Sequence, residues 1–215
     1  GKIQRLHMLE EETTYVPYMY DLGLKDDTDI TYKVGKVLAE ELRVFGINMD
    51  FAPVMDIYEN EENTVIGQRS FGTTAKEVSE QALALGKGLK ESGIIPVYKH
   101  FPGHGNTKED SHYDLPVVSK TKEELLKDDL IPFIDAIKNG EEVIMIGHLA
   151  VPSITGDNTP ASLSRTIITD LLKEELGFKG LVVTDSLNMG ALTNTYTQDE
   201  VYVKESDLVS TALFE

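Results

Sequence analysis

The chain has 215 residues, 40% of them hydrophobic and 27% charged, which is ordinary for a globular protein of one domain with a buried core. Its formal net charge of −17 repels phosphate backbones and argues against nucleic-acid binding. It contains no cysteine, which excludes a disulfide framework and a thiol nucleophile, and no apolar run approaches the roughly 20 residues needed to cross a bilayer.

In chain order, residues 27–45 have helical periodicity, with Val34, Val37, Leu38 and Leu42 on one face before Gly46. Residues 47–54 read as a strand running into a loop. Residues 74–92 form a second helix with Val78, Ala82, Leu85 and Leu89 on one side and Gly93 placed to end it. Residues 94–98 are the next strand. Thr121 and Glu124 form a capping box ahead of Leu125, Leu126 and Leu130, and Pro132 predicts a kink or break in that helix before Asn139-Gly140 ends it. Residues 143–146 are a strand, Ser164 opens a further helix ended by Gly177, and residues 181–183 are the last clear strand.

Short apolar strands alternating with helices predict a parallel sheet, buried on both faces and covered by helices. A doubly wound sheet and a (β/α)8 barrel share these local signals. Asp56, Lys99, His100, His148 and Asp185 each fall just past a predicted strand end, and in a barrel such ends converge on one face. The expected fold is therefore an α/β barrel, with residues 1–215 forming a partial barrel domain. Four strands are clear, and a barrel needs about 250 residues, so the early strands and the closing strand are expected outside this chain.

Three of the five histidines, His100, His104 and His112, lie in residues 99–112, Lys-His-Phe-Pro-Gly-His-Gly-Asn-Thr-Lys-Glu-Asp-Ser-His. A metal site is one reading. Against it, Pro102, Gly103 and Gly105 forbid a regular helix that could present His100 and His104 together, and there is no His-Glu-x-x-His. Loop histidines with ordinary hydrogen bonds are a second reading. Acid–base chemistry is the third: Asp110 can orient His112 and support its protonated form, and imidazole titrates near neutral pH. Asp185 is the natural counterpart, although a lone Asp at a strand end is more often a helix cap.

Residues 171–188, Leu-Leu-Lys-Glu-Glu-Leu-Gly-Phe-Lys-Gly-Leu-Val-Val-Thr-Asp-Ser-Leu-Asn, resemble the segment around the nucleophile of glycoside hydrolase family 3. The Lys99 to His112 stretch resembles the β-N-acetylglucosaminidase branch of that family, in which an Asp-Ser-His loop supplies the acid–base pair. Residues 48–57, Asn-Met-Asp-Phe-Ala-Pro-Val-Met-Asp-Ile, and residues 67–72, Gly-Gln-Arg-Ser-Phe-Gly, are similar to further family segments in the same order, and residues 160–164 match more weakly.

The resemblance implies a retaining enzyme that removes terminal N-acetylglucosamine from peptidoglycan fragments or related glycosides. Asp185 would be the nucleophile and His112, with Asp110, the acid–base pair. Arg69, Lys99 and His100 would hold the sugar, with Met189 beside it. A carbohydrate substrate, such as an N-acetylglucosaminide or muropeptide, is the expected partner, and no metal or cofactor is needed. Salt bridges are the plain alternative for Arg69 and Lys99, core packing for Met189, and Asp56 reads as structural. The family also has an early Asp-x-Glu-Gly-Gly stretch with a sugar-binding Asp; the chain opens at what resembles its last glycine, Gly1, so that Asp is expected outside these residues. Another exo-glycosidase of the family such as a β-glucosidase, an N-acetylglucosaminide phosphorylase, and a non-catalytic sugar-binding barrel remain as alternatives.

Overall fold

The computed structural model describes residues 13–107, 111, 113–202 and 204. Five short strands all run parallel. β1 (Met49–Asp50) pairs with β2 (Ile95–Pro96), and β3 (Tyr98–Phe101) pairs with β4 (Val143–Ile146), which pairs with β5 (Leu181–Thr184). Only Val97 separates β2 from β3, and a parallel bridge from Val54 to Lys99 continues the first pairing. The strands thus make a single curved parallel array, ordered by sequence, that is not closed among the described residues.

The longer helices pack on one face of this array. α1 (Met19–Lys25) and α2 (Thr28–Val44) precede β1; α3 (Ala75–Glu91) follows it. α2 begins where the Asp27 carboxylate accepts the Asp29 and Ile30 amides, and α3 where Thr74 and Glu77 cap one another, each cap worth about 1 kcal/mol. α2 and α3 cross closely because Gly35 and Gly88 have no side chains: a Cβ on either would strike the other helix's backbone. The helix carrying Pro132 is broken as its sequence predicts. α4 (Lys122–Lys127) ends, and α5 (Ile131–Lys138) restarts with the proline in its first turn, where no amide hydrogen is missed. Thr166–Glu175 is wound as a π-helix, and the Ser164 hydroxyl accepts the Ile167 amide at its start.

Strand alternation divides the core. Ile144 and Ile146 of β4, with Tyr98 and Phe101 of β3, pack against α3, α5 and the π-helix through Leu85, Leu89, Phe133, Ile167 and Leu171. On the other face Val97, Val143 and Met145 cluster with Met49 and Val183. Burial on both faces holds for β3 and β4 but not for β5, where Leu181 is 54% exposed. Among the described residues β5 is paired on one side only.

Two further differences from the sequence reading matter. α1 carried no strong periodic signal, because it is only seven residues long. The strand expected over residues 94–98 extends through Phe101, so Lys99 and His100 lie within β3 rather than beyond its end.

Candidate active site

Lys99 and Asp185 reach one end of the array by the same route. Val97 and Val183 belong to the apolar face opposite the helices, and Lys99 and Asp185, each two residues further along, carry that row outward. Asp185 is the first residue after β5, its amide bonded to the Ile146 carbonyl at 3.0 Å, and one carboxylate oxygen accepts the Ser186 amide at 2.8 Å. The side chain keeps 27% of its surface exposed, enough to meet a ligand.

His100 should point to the helix side by simple alternation. It does not, because the pairing of β3 with β4 slips: Lys99 faces Met145 and Phe101 faces Ile146, leaving His100 as an extra residue. A bulge of this kind re-aims a side chain. The Lys99–His100 peptide is cis, as are Ala52–Pro53 and Phe101–Pro102. The ring of His100 is buried, with Nδ1 2.7 Å from Asp56 Oδ2 and Nε2 3.9 Å from Asp185 Oδ2.

Asp56 lies at the centre of this arrangement. It is fully buried, and its Oδ1 accepts the His104 amide at 2.7 Å. The His100 amide lies 3.3 Å from both of its oxygens. The Ser70 hydroxyl, beside Arg69, is 2.7 Å from the Asp56 carbonyl oxygen and so ties the short Gly67–Arg69 turn to the same loop. At Gly105 a Cβ would run into the Ile57 carbonyl oxygen, so only glycine lets the His104 loop lie this close.

The electrostatics follow from burial. Desolvation pushes His100 down to about 4 despite Asp56, helped by the charges of Lys99 and Arg69. Lys99 is lowered to about 8 by burial and by Arg69, with Asp185, Asp50 and Asp56 pulling the other way. Burial opposes ionisation of Asp56 and Asp185, but in both the surroundings prevail. The His100 and His104 contacts hold Asp56 below its ordinary value. Asp185 is held below its own by His100, the Ser186 amide, His148 and Lys99.

His104 and His148 brace the surroundings. His104 Nε2 is 3.1 Å from the Ser111 hydroxyl, its Nδ1 is 2.7 Å from Thr107 Oγ1, and its carbonyl accepts Asn63 Nδ2 at 2.8 Å. The Ser111 carbonyl is also held by the Ala191 amide at 3.1 Å, and the Tyr113 carbonyl by Asn194 Nδ2 at 2.6 Å, so both neighbours of His112 dock on α6 (Gly190–Thr193) and its C-cap, Asn194. Met189, buried, immediately precedes α6. Asp110 and His112 themselves lie outside the described residues. The structure thus gathers Lys99, His100 and Asp185, with Arg69 close enough to lower the pKa of both Lys99 and His100.

Asp56 and His148 were among the strand-end residues expected to converge here, but nothing in the sequence paired either with a partner; His104 was visible only as a loop histidine. Away from this centre, Glu59, Asp128 and Asp129 converge closely enough to suit a cation, and the Lys120 ammonium fills that role at 2.7, 3.3 and 2.6 Å.

Residues 1–207 match the family described as "Glycosyl hydrolase family 3 N terminal domain". A β-hexosaminidase of Nitrosospira multiformis is 37% identical over 195 residues, covering 88% of this chain and 54% of that protein. Among solved structures, a family 3 β-N-acetylglucosaminidase from Paenibacillus superposes with a TM-score of 0.88 at 41% identity, over 91% of this chain and 37% of the other. NagZ from Neisseria gonorrhoeae, solved in complex with N-trifluoroacetyl-D-glucosamine, gives a TM-score of 0.81 at 34% identity, over 92% of this chain and 58% of the other. The chain spans about half the length of most curated relatives it matches.

Proposed function

Because the chain belongs to glycosyl hydrolase family 3, we propose that residues 1–215 are the greater part of a (β/α)8 catalytic domain. Its activity would be that of a retaining β-N-acetylglucosaminidase, removing terminal non-reducing N-acetylglucosamine from peptidoglycan fragments or related glycosides. Relatives named β-hexosaminidase and a neighbour solved with an N-acetylglucosamine analogue support the substrate class. The observation that carries the reading is Asp185, held ionised at the end of β5 and partly open beside Lys99 and His100.

Asp185 attacks the anomeric carbon through an oxocarbenium-like transition state as the glycosidic bond breaks. His112 gives its proton to the departing oxygen. A water then attacks the glycosyl-enzyme, loses its proton to His112 and frees the Asp185 carboxylate. Asp110 orients the His112 ring and supports its charge. Arg69, Lys99 and His100 hold sugar oxygens, Arg69 and Lys99 through charge-assisted hydrogen bonds, and Met189 packs beside the ring. No step requires a metal or cofactor.

Release of nitrophenol by the full-length protein from an aryl β-N-acetylglucosaminide, with the β-glucoside as control, tests this reading. Cleavage of the N-acetylglucosaminide at least about tenfold faster in kcat/KM supports it. Equal or faster cleavage of the glucoside would move the protein to another branch of the family. Phosphate-dependent release of a sugar 1-phosphate would make it a phosphorylase.

A further inference from the structure

We propose that Asp56 is a positioning residue that sets His100 as its Nδ1–H tautomer, leaving a bare Nε2 beside Asp185 that accepts a hydrogen bond from a hydroxyl or amide N–H of the sugar. The inference rests on the reading of Asp185 and His100 as flanking the substrate.

The contacts decide where the single proton of a neutral ring must sit. Asp56 Oδ2 is 2.7 Å from Nδ1, and two bare lone pairs cannot meet at that distance. The Asp56 carboxylate, surrounded by the His100 and His104 amides, can only accept. Nδ1 therefore carries the hydrogen. The ring stays neutral near pH 7 because it is buried beside Lys99 and Arg69. Nε2 is then an acceptor 3.9 Å from a second acceptor, Asp185 Oδ2. Two acceptors make no hydrogen bond with each other, so Nε2 is left to take one donor hydrogen of the sugar while Asp185 faces the anomeric carbon. A neutral His100 of this tautomer also makes no hydrogen bond or ion pair with Asp185, so the carboxylate stays free to attack. Asp56 thereby acts on the reaction without touching the sugar.

Asp56→Asn tests the idea with little change of shape. The His104 amide, 2.7 Å from Oδ1, keeps the carbonyl oxygen of an asparagine, so the NH2 group must face His100 Nδ1. The ring is then forced to carry its proton on Nε2, the wrong-tautomer effect of Asp-to-Asn changes in Asp–His pairs. Nε2–H would turn toward Asp185 and engage the nucleophile.

The full-length protein labelled with 15N-histidine should show His100, assigned by its loss in His100→Gln, protonated on Nδ1 and bare on Nε2 at pH 7. Asp56→Asn should reverse the two nitrogen signals and lower kcat/KM for the aryl N-acetylglucosaminide by about 100-fold, with the melting temperature within about 5 °C of wild type. Nε2–H in the wild type would overturn the proposal, even if the variant failed to fold. So would a reversed tautomer with wild-type kcat/KM, or an unreversed tautomer with activity lost. If no N-acetylglucosaminide is turned over at all, the functional reading fails, while the ring signals still decide the tautomer.

Discussion

His148 Nε2 lies 2.9 Å from the carbonyl oxygen of Ser186, tying the loop after β4 to the peptide that follows Asp185. The other ring nitrogen is 2.8 Å from the Ser162 hydroxyl. Burial lowers the pKa of His148 and favours the neutral ring, so Nε2–H donates to the carbonyl and Nδ1 accepts the hydroxyl hydrogen. Asp185 is thus aimed by its own strand, by the Ile146 carbonyl on its amide, and by a rigid histidine behind the next peptide.

The first prediction concerns the nucleophile. Asp185→Asn should lower turnover by about 10³-fold or more, because the covalent route is lost, and leave the melting temperature nearly unchanged, since the side chain is partly exposed and packs no core. In the wild type a slow fluorinated glycoside should label one peptide, the one containing Asp185, as read by mass spectrometry. The acid limb of kcat/KM should lie below the ordinary carboxylate range, since Asp185 is held below its ordinary value and must be ionised to attack.

A second prediction separates acid catalysis from binding. His112→Ala should slow glycosides with poor leaving groups by about 10²-fold or more, and activated aryl glycosides far less, because the latter need little protonation. Asp110→Asn should act in the same direction more weakly. Equal slowing of both substrate types by His112→Ala would remove His112 as the acid.

The third concerns Lys99, lowered from 10.5 to about 8. The folded protein holds the ammonium at a cost everywhere below about pH 8, and the cost shrinks as pH rises from 8 toward 10.5. Lys99→Met should therefore stabilise the protein at pH 7, by about 1–3 kcal/mol, with the gain fading above about pH 8 and gone by about pH 10.5. The same change should raise KM, and the wild-type KM should itself climb above about pH 8 as the ammonium loses its proton. Denaturant melts at both pH values and KM from about pH 6 to 9 check both halves.

The fourth concerns Lys120, which neutralises Glu59, Asp128 and Asp129. Lys120→Met leaves three carboxylates crowded together, Asp129 being 3% exposed, and should destabilise the fold by about 2–4 kcal/mol. Burial and the Asp128 contact already raise Glu59 to about 7, so a proton can relieve the crowding in acid. Urea melts of the variant should show a larger loss at pH 8 than at pH 6. Equal losses would mean that Glu59 does not take up that proton.

The sequence by itself determined the parallel βα alternation, the cap at Thr121, the break at Pro132 and the strand-end positions of Lys99 and Asp185, while its family resemblance added Arg69 as a candidate. These signals are local: apolar period, capping chemistry and strand-end position all lie within a few residues of one another. Only the tertiary structure decided that His100 turns toward Asp185, because that depends on a register slip between β3 and β4, which start 45 residues apart. It alone joined Asp56 to His100, 44 residues away, and His148 to Ser186, 38 residues away. It also put the Lys120 ammonium among Glu59, Asp128 and Asp129. A buried carboxylate or imidazole must find a partner wherever the fold brings one, and that partner is set by which backbone and side-chain groups strand pairing leaves unsatisfied, not by neighbours in the chain.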